Sequence, residues 1–140
     1  MLLREVVNAR VSCLLFVLVL LPLLPLSAKT KPGALDSGYT FALAAADHFL
    51  QAWQSGDVEN GMVLLSSHAK EGATTDVIDK FFSNPGPSAY EIERGRILKH
   101  GRYEFPVVLV TGSAKSFHRR FLSLVVVNTG NNDWAVDKLP

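Results

Sequence analysis

The chain changes its apolar period at Asn84-Pro85-Gly86-Pro87 (NPGP), and no other feature constrains its fold as tightly. Before this point apolar residues recur every 3.6 residues; after it they recur every two. Two prolines around a glycine cannot continue a helix, so the helical part must close there. Helices spent first and strands afterwards exclude an alternating βαβ plan. The sequence therefore predicts an α+β domain, with N-terminal helices packed on a curved four-stranded antiparallel sheet, a cone or roll.

The helical part divides further. Helix signals begin at Asp36 or Ser37, and Phe41, Ala42, Ala45, Ala46, Phe49 and Trp53 fall on one broad apolar arc. Asp47, Gln51 and Gln54 form a narrow polar stripe. In Phe49-Leu-Gln-Ala-Trp-Gln-Ser-Gly-Asp57 (FLQAWQSGD), Gly56 suits the left-handed position that closes a helix, and Asp57 can cap the next one, Val58 to about Ser67. A loop over His68–Thr74 then leads to a third helix, DVIDKFF, capped by Thr74 or Thr75.

In the second part, Tyr90–Lys99 reads as one alternating strand. Gly95 sits between two arginines, where a bulge can bend it. His100-Gly101 resembles a two-residue hairpin turn into Arg102–Thr111. Gly112-Ser113-Ala114 turns into a long strand to Asn128, and Thr129–Asp133 turns into the closing Trp134–Leu139. Pro106 favours an edge or a bulge in its strand.

The first 28 residues are read apart from the domain. Arg4 and Arg10 precede the apolar run Val11–Leu26, and the small pair Ser27-Ala28 follows. That order predicts a secretory signal, and Pro22 and Pro25 argue against a stable spanning helix. Leu26 fits a cleavage site poorly, so a retained signal anchor stays open as the alternative, and only then does a membrane become a partner. Residues 29–36 form a polar linker, and 37–140 the domain. The expected location is outside the cytoplasm: periplasmic or secreted, or membrane-anchored with the domain outside.

Removal of the signal takes away Cys13, the only cysteine, so no disulfide staples the domain and a packed core must hold it. About 105 residues suffice for one core. The remaining charge is near neutral, which points away from nucleic acid as a partner.

The order FLQAWQSGD, a short Leu-Leu helix, a further helix and a meander ending Trp134-Ala-Val-Asp-Lys-Leu-Pro140 resembles the nuclear-transport-factor-2-like superfamily, with its cystatin-like α+β cone. The likeness is to small exported bacterial domains of uncharacterised function, and it spans about Ser37 to Pro140. It implies a bent sheet closed over a long helix with an open cavity between them. Superfamily members include ketosteroid isomerases, dehydratases, ligand-binding domains and association modules, and fold alone does not choose among these. The favoured expectation is a small-ligand-binding or protein-association module. An isomerase- or dehydratase-like enzyme, or an anchored envelope assembly subunit, is the alternative.

Phe41, His48, Trp53, Tyr103, Arg119 and Trp134 are the candidate cavity residues. Trp53 on an apolar arc is foremost a core residue, and it becomes a cavity wall if the cone is hollow. His48 lies at the edge of that arc and needs a carboxylate or hydroxyl partner to act as a base. Tyr39, Tyr90 and Tyr103 can donate to an oxyanion, but no tyrosine–acid pair matches the isomerase pattern, and Glu91, Glu93 and Glu104 are expected to face solvent. No catalytic residue is assigned. His48, His68, His100 and His118 lack metal-ligand spacing, and no phosphate-cradling or dinucleotide-binding glycine loop occurs, so neither metal nor cofactor is expected.

Positive charge clusters late in the chain, at Arg94, Arg96, Lys99, Arg102, Lys115, Arg119 and Arg120. This reads as a solvated sheet face or as one patch for an anionic partner. Strand alternation sends Arg119 and Arg120 to opposite faces, so one must point toward the helices. Arg119 is expected to be that residue and to bind a carboxylate, on a ligand or on the protein itself. Phe121–Val127 is apolar on both faces, which implies a homodimer through the outer face.

Overall fold

The computed structural model describes residues 36–84, 86–99 and 101–139. The expected signal and most of the linker lie outside them, as do His100, Pro85 and Pro140. Among the described residues four helices come first, α1 (Ser37–Ser55), α2 (Val58–Val63), α3 (Ser67–Gly72) and α4 (Thr75–Phe82). Five strands follow, β1 (Ser88–Ile92), β2 (Arg96–Lys99), β3 (Arg102–Gly112), β4 (Phe117–Gly130) and β5 (Asp133–Lys138). The sheet is antiparallel in the order β1-β3-β4-β5, and β2 pairs with β3 on the same side as β1.

Helix α1 is closed at both ends as its sequence demands. The Asp36 side chain accepts from the Gly38 amide, and Gly56 takes φ +69° while its N–H bonds back to Trp53. Its buried face carries Ala42, Ala45, Ala46, Phe49, Leu50, Ala52 and Trp53. The small alanines let the backbone lie close to the sheet, and the large residues fill the ends. Phe41, expected on the buried arc, is half exposed instead, and Leu50 takes its share of the core.

The single strand expected over Tyr90–Lys99 is two strands, so the sheet has five strands rather than four. Ile92 pairs with Val107 and Arg96 with Glu104, which leaves one extra residue on the outer ribbon. Two local causes meet at this bulge. Pro106 offers no N–H, and its carbonyl accepts from Glu93 on the same side. A β-carbon on Gly95 would collide with the Phe105 ring, so only glycine lets the chain pass there.

Helix α2 is shorter than expected. It stops at Val63 because β5 recruits the next residues: Leu65 bridges Val136 in parallel, the Ser66 amide donates to the Val136 carbonyl (2.9 Å), and the Val136 amide donates to Leu64 (2.9 Å). This contact covers part of an otherwise open sheet edge. Ser66 then caps α3 by accepting from the Ala69 amide (3.0 Å), which makes a helix where a loop was expected.

Strand alternation sorts the sheet cleanly. Tyr103, Phe105, Val107 and Leu109 of β3 and Leu122, Leu124 and Val126 of β4 face the helices. They meet Phe49, Leu50 and Trp53 of α1 and Ile78, Phe81 and Phe82 of α4. The aromatic part interlocks: Phe49 stacks on Phe81 at 5.8 Å, and both rings meet Phe82 edge-on at 5.5 and 5.3 Å. Each such ring contributes roughly 1.5–3 kcal/mol by leaving water.

Candidate functional site

Trp53, on the last full turn of α1, sets one wall of an open cleft of about 480 Å³. The left-handed Gly56 turns the chain away, and α2–α3 bring it back so that α4 ends beside Trp53 with Lys80 and Phe81. Asn84 holds this end by donating its side-chain amide to the Trp53 carbonyl. The sheet supplies the opposite wall from Leu109 and Thr111 of β3 and His118 and Arg120 of β4. The floor is apolar: Trp53 and Leu109 are each 1% exposed, and Phe81 is buried.

The rim has a different chemistry. Arg120 pairs with Leu109 and so stands on the helix side of the sheet, its guanidinium 5.8 Å from the Phe81 ring centroid. Arg119 pairs with Val110 and belongs to the outer face, although it borders the same cleft. The expected inward arginine is thus Arg120 and not Arg119, because the register runs unbroken from Arg102↔Val127 to Gly112↔Phe117 and admits no bulge that would exchange them. Both arginines are exposed, so no buried carboxylate is required. Among the described residues, Lys80, Arg119 and Arg120 have no carboxylate partner and the cleft lining contains no Asp or Glu.

The expected cavity residues do not share one hollow. Trp53 and Arg119 lie at the cleft just described. Phe41, Tyr103 and Trp134 line a second cleft of about 670 Å³, together with Asp36 and Asn128. His48 borders a groove of about 420 Å³ between α1 and α2, beside Gln51, Asp57 and Asn60. The two tryptophans therefore serve separate clefts, one at each end of α1.

In the second cleft the tyrosine is committed to the fold. The Tyr103 hydroxyl donates to Asp36, and this bond, with burial and the Asp36 charge, pushes the phenol up to about 12. Asp36 also caps α1, so the pair pins the helix start to β3. A matching pin joins Tyr90 to Asp47 (2.7 Å), where burial first and the Asp47 carboxylate second push Tyr90 up to about 12. These tyrosine–aspartate pairs were not legible in sequence, since each joins residues 43 or 67 positions apart. The indole Nε1 of Trp134 is buried without an acceptor among the described residues.

The basic residues do not form one patch either. β3 spreads them along its length: Lys99 and Arg96 pair with Arg102 and Glu104, and Arg94 lies in the bulge beyond them, while Arg120 and Arg119 pair with Leu109 and Val110, roughly 17 Å from Arg96 at strand rise, and Lys115 lies in the following turn. At the first end, Arg96 is held by Glu104 (2.6 Å) and Arg102 by Asp137 (2.8 Å). Asp137 is 7% exposed and also accepts from Ser66 Oγ (2.8 Å), with His68 Nδ1 at 3.4 Å. Burial alone would raise its pKa, but Ser66, Arg102 and His68 outweigh that and hold it below the usual carboxylate value. Lys80, Phe81, Leu109 and His118 were not singled out in sequence as site residues, because only folding brings α4 against the β3–β4 hairpin.

No family model matches the chain, and no curated protein matches it. Solved structures do. An NTF-2 like protein of unknown function from Shewanella oneidensis MR-1 superposes with a TM-score of 0.53 at 12% identity, over 71% of this chain and 94% of that one. A ketosteroid isomerase-like protein from Erwinia carotovora atroseptica gives 0.56 at 10% identity, over 74% and 93%. A five-substitution variant of an NTF2 chain gives 0.57 at 13% identity, over 74% and 96%. The fold is the NTF2-like α+β cone, with a five-stranded antiparallel sheet that is not closed into a barrel.

Proposed function

We propose that the chain is an exported module that binds a small ligand with an apolar body in the cleft between α1, α4 and the β3–β4 hairpin. One observation carries this reading: Trp53, Phe81 and Leu109 form an apolar floor under an opening of about 480 Å³. That volume is within the usual size for small-molecule sites, and a mostly apolar wall with a few polar groups at its mouth is their usual composition. The fold neighbours support a binding or isomerase-like role without selecting either. Export rests on the basic, apolar and small-residue order of residues 1–28.

Native mass spectrometry of protein purified from its own envelope tests the binding reading. The expected spectrum of the wild-type chain shows an adduct that Thr111→Trp, which fills the cleft mouth, no longer retains. An adduct retained equally by both chains places the ligand elsewhere and overturns the assignment.

A second observation supports association. Phe117 and Phe121 are each 74% exposed on the sheet face turned away from the helices. Burying such rings against a second copy is the homodimer arrangement this face suits best. Sedimentation velocity of Phe121→Lys against the wild type tests it: the variant is expected to be a monomer and the wild type a dimer.

A further inference from the structure

We infer that the ligand of this cleft is an amphipathic anion: an apolar body ending in one carboxylate, sulfonate or phosphomonoester, with Arg120 as its charge receptor and Lys80 as a second cation. The inference rests on the binding reading above and adds the charge class. Among the described residues the lining holds Lys80, Arg119, Arg120 and His118 and no acidic residue, so an anion entering it meets no repulsion from them. Elsewhere the fold supplies a carboxylate both for the half-buried Arg102, from Asp137, and for the exposed Arg96, from Glu104. Arg120 is on the helix side of the sheet and receives none among the described residues.

Its position defines what the ligand must look like. The guanidinium lies over Phe81, and Phe81 meets Trp53 at 6.4 Å between ring centroids. Stacking on the ring holds the planar cation at the boundary between the apolar floor and water. An anionic group there can take two parallel N–H donors while the attached body enters the cleft between Phe81 and Thr111, above Trp53 and Leu109. A neutral apolar ligand would leave that cation unused. A compact inorganic anion would reach Arg120 and leave the apolar side of the cleft unused.

Fluorescence titration separates these cases. In the full chain carrying Trp134→Phe, Trp53 is the sole tryptophan and reports the cleft directly. Anilinonaphthalene sulfonate is titrated beside N-phenylnaphthylamine, its uncharged counterpart. The sulfonate is expected to quench Trp53 with about tenfold tighter affinity, and Arg120→Gln to remove roughly that tenfold for the sulfonate alone. Arg120→Lys should keep part of it, and Arg96→Gln, the same charge lost on the opposite sheet face roughly 17 Å along β3, should change nothing. Equal affinity for both probes, unmoved by Arg120→Gln, overturns the anion inference and leaves the binding reading standing. Equal losses in Arg96→Gln and Arg120→Gln also overturn it, since the effect would then be overall charge. Failure of both probes to quench Trp53 overturns the binding reading and this inference together.

Discussion

The two ends of strand β3 hold similar residues and use them differently. At its start, Arg96 and Arg102 each have a carboxylate, Tyr103 is bonded to Asp36, and the Asp137 cluster joins β3 and β5 to the turn before α3. At its end, Lys80, Arg119 and Arg120 have no carboxylate among the described residues, and aromatic rings line an opening. Polar groups that are satisfied internally hold a fold together, whereas exposed cations beside an apolar floor are available to something else. Basic composition therefore says little until pairing is known.

Removing Asp137 should separate the two ends most sharply. Asp137→Ala leaves Arg102 half-buried without its partner and Ser66 without an acceptor, and is expected to cost about 3 kcal/mol in urea unfolding. Acid should act on the same group. Its folded pKa lies below the unfolded one, so its contribution is present above the ordinary carboxylate range and is lost as pH falls through the folded value. The loss of stability below about pH 4 should accordingly be shallower in Asp137→Ala than in the wild type.

Tyr103→Phe removes one donor to Asp36 and should cost about 1 kcal/mol. The sign at high pH is opposite to that of the aspartate. Tyr90 and Tyr103 are both pushed up to about 12, so the stability they give is complete below pH 10.0 and is lost as pH rises toward 12. Urea unfolding between pH 10 and about 12 should show Tyr103→Phe losing less stability over that interval than the wild type. Arg120→Gln should change stability by less than about 0.5 kcal/mol, because it severs no ion pair. Comparable destabilisation by Arg120→Gln and Asp137→Ala would erase the contrast between the ends. The smallest effect is expected for Trp134→Phe, which deletes a buried indole N–H that has no acceptor among the described residues and should leave the midpoint of urea unfolding nearly unchanged.

Much of the architecture was legible because its signals are local. The Asp36 and Gly56 caps, the Asn84–Pro87 break, the alternation of β3 and β4 and the bend at Gly95 each depend on a few neighbouring residues. The misreadings were long-range. Leu64–Ser66 leave α2 because β5, some 70 residues later, supplies better partners. The break at Gly95 became a division into two strands because Pro106 and Phe105 stand opposite it. Alternation required one of Arg119 and Arg120 to face the helices, but the choice needed the pairing of Leu109 with Arg120.

The amino-acid order by itself determined the α+β plan, the limits of α1 and the opposition of Arg119 to Arg120, since propensity, capping and the two-residue strand period act within a few positions. Only the tertiary structure decided that Trp53 and Trp134 line different clefts, that Arg102 is neutralised and Arg120 is not, and that Phe81 comes to lie beneath Arg120. Those outcomes depend on which distant carboxylate or ring each side chain meets once the sheet closes on the helices, and proximity of that kind is fixed by packing rather than by spacing along the chain.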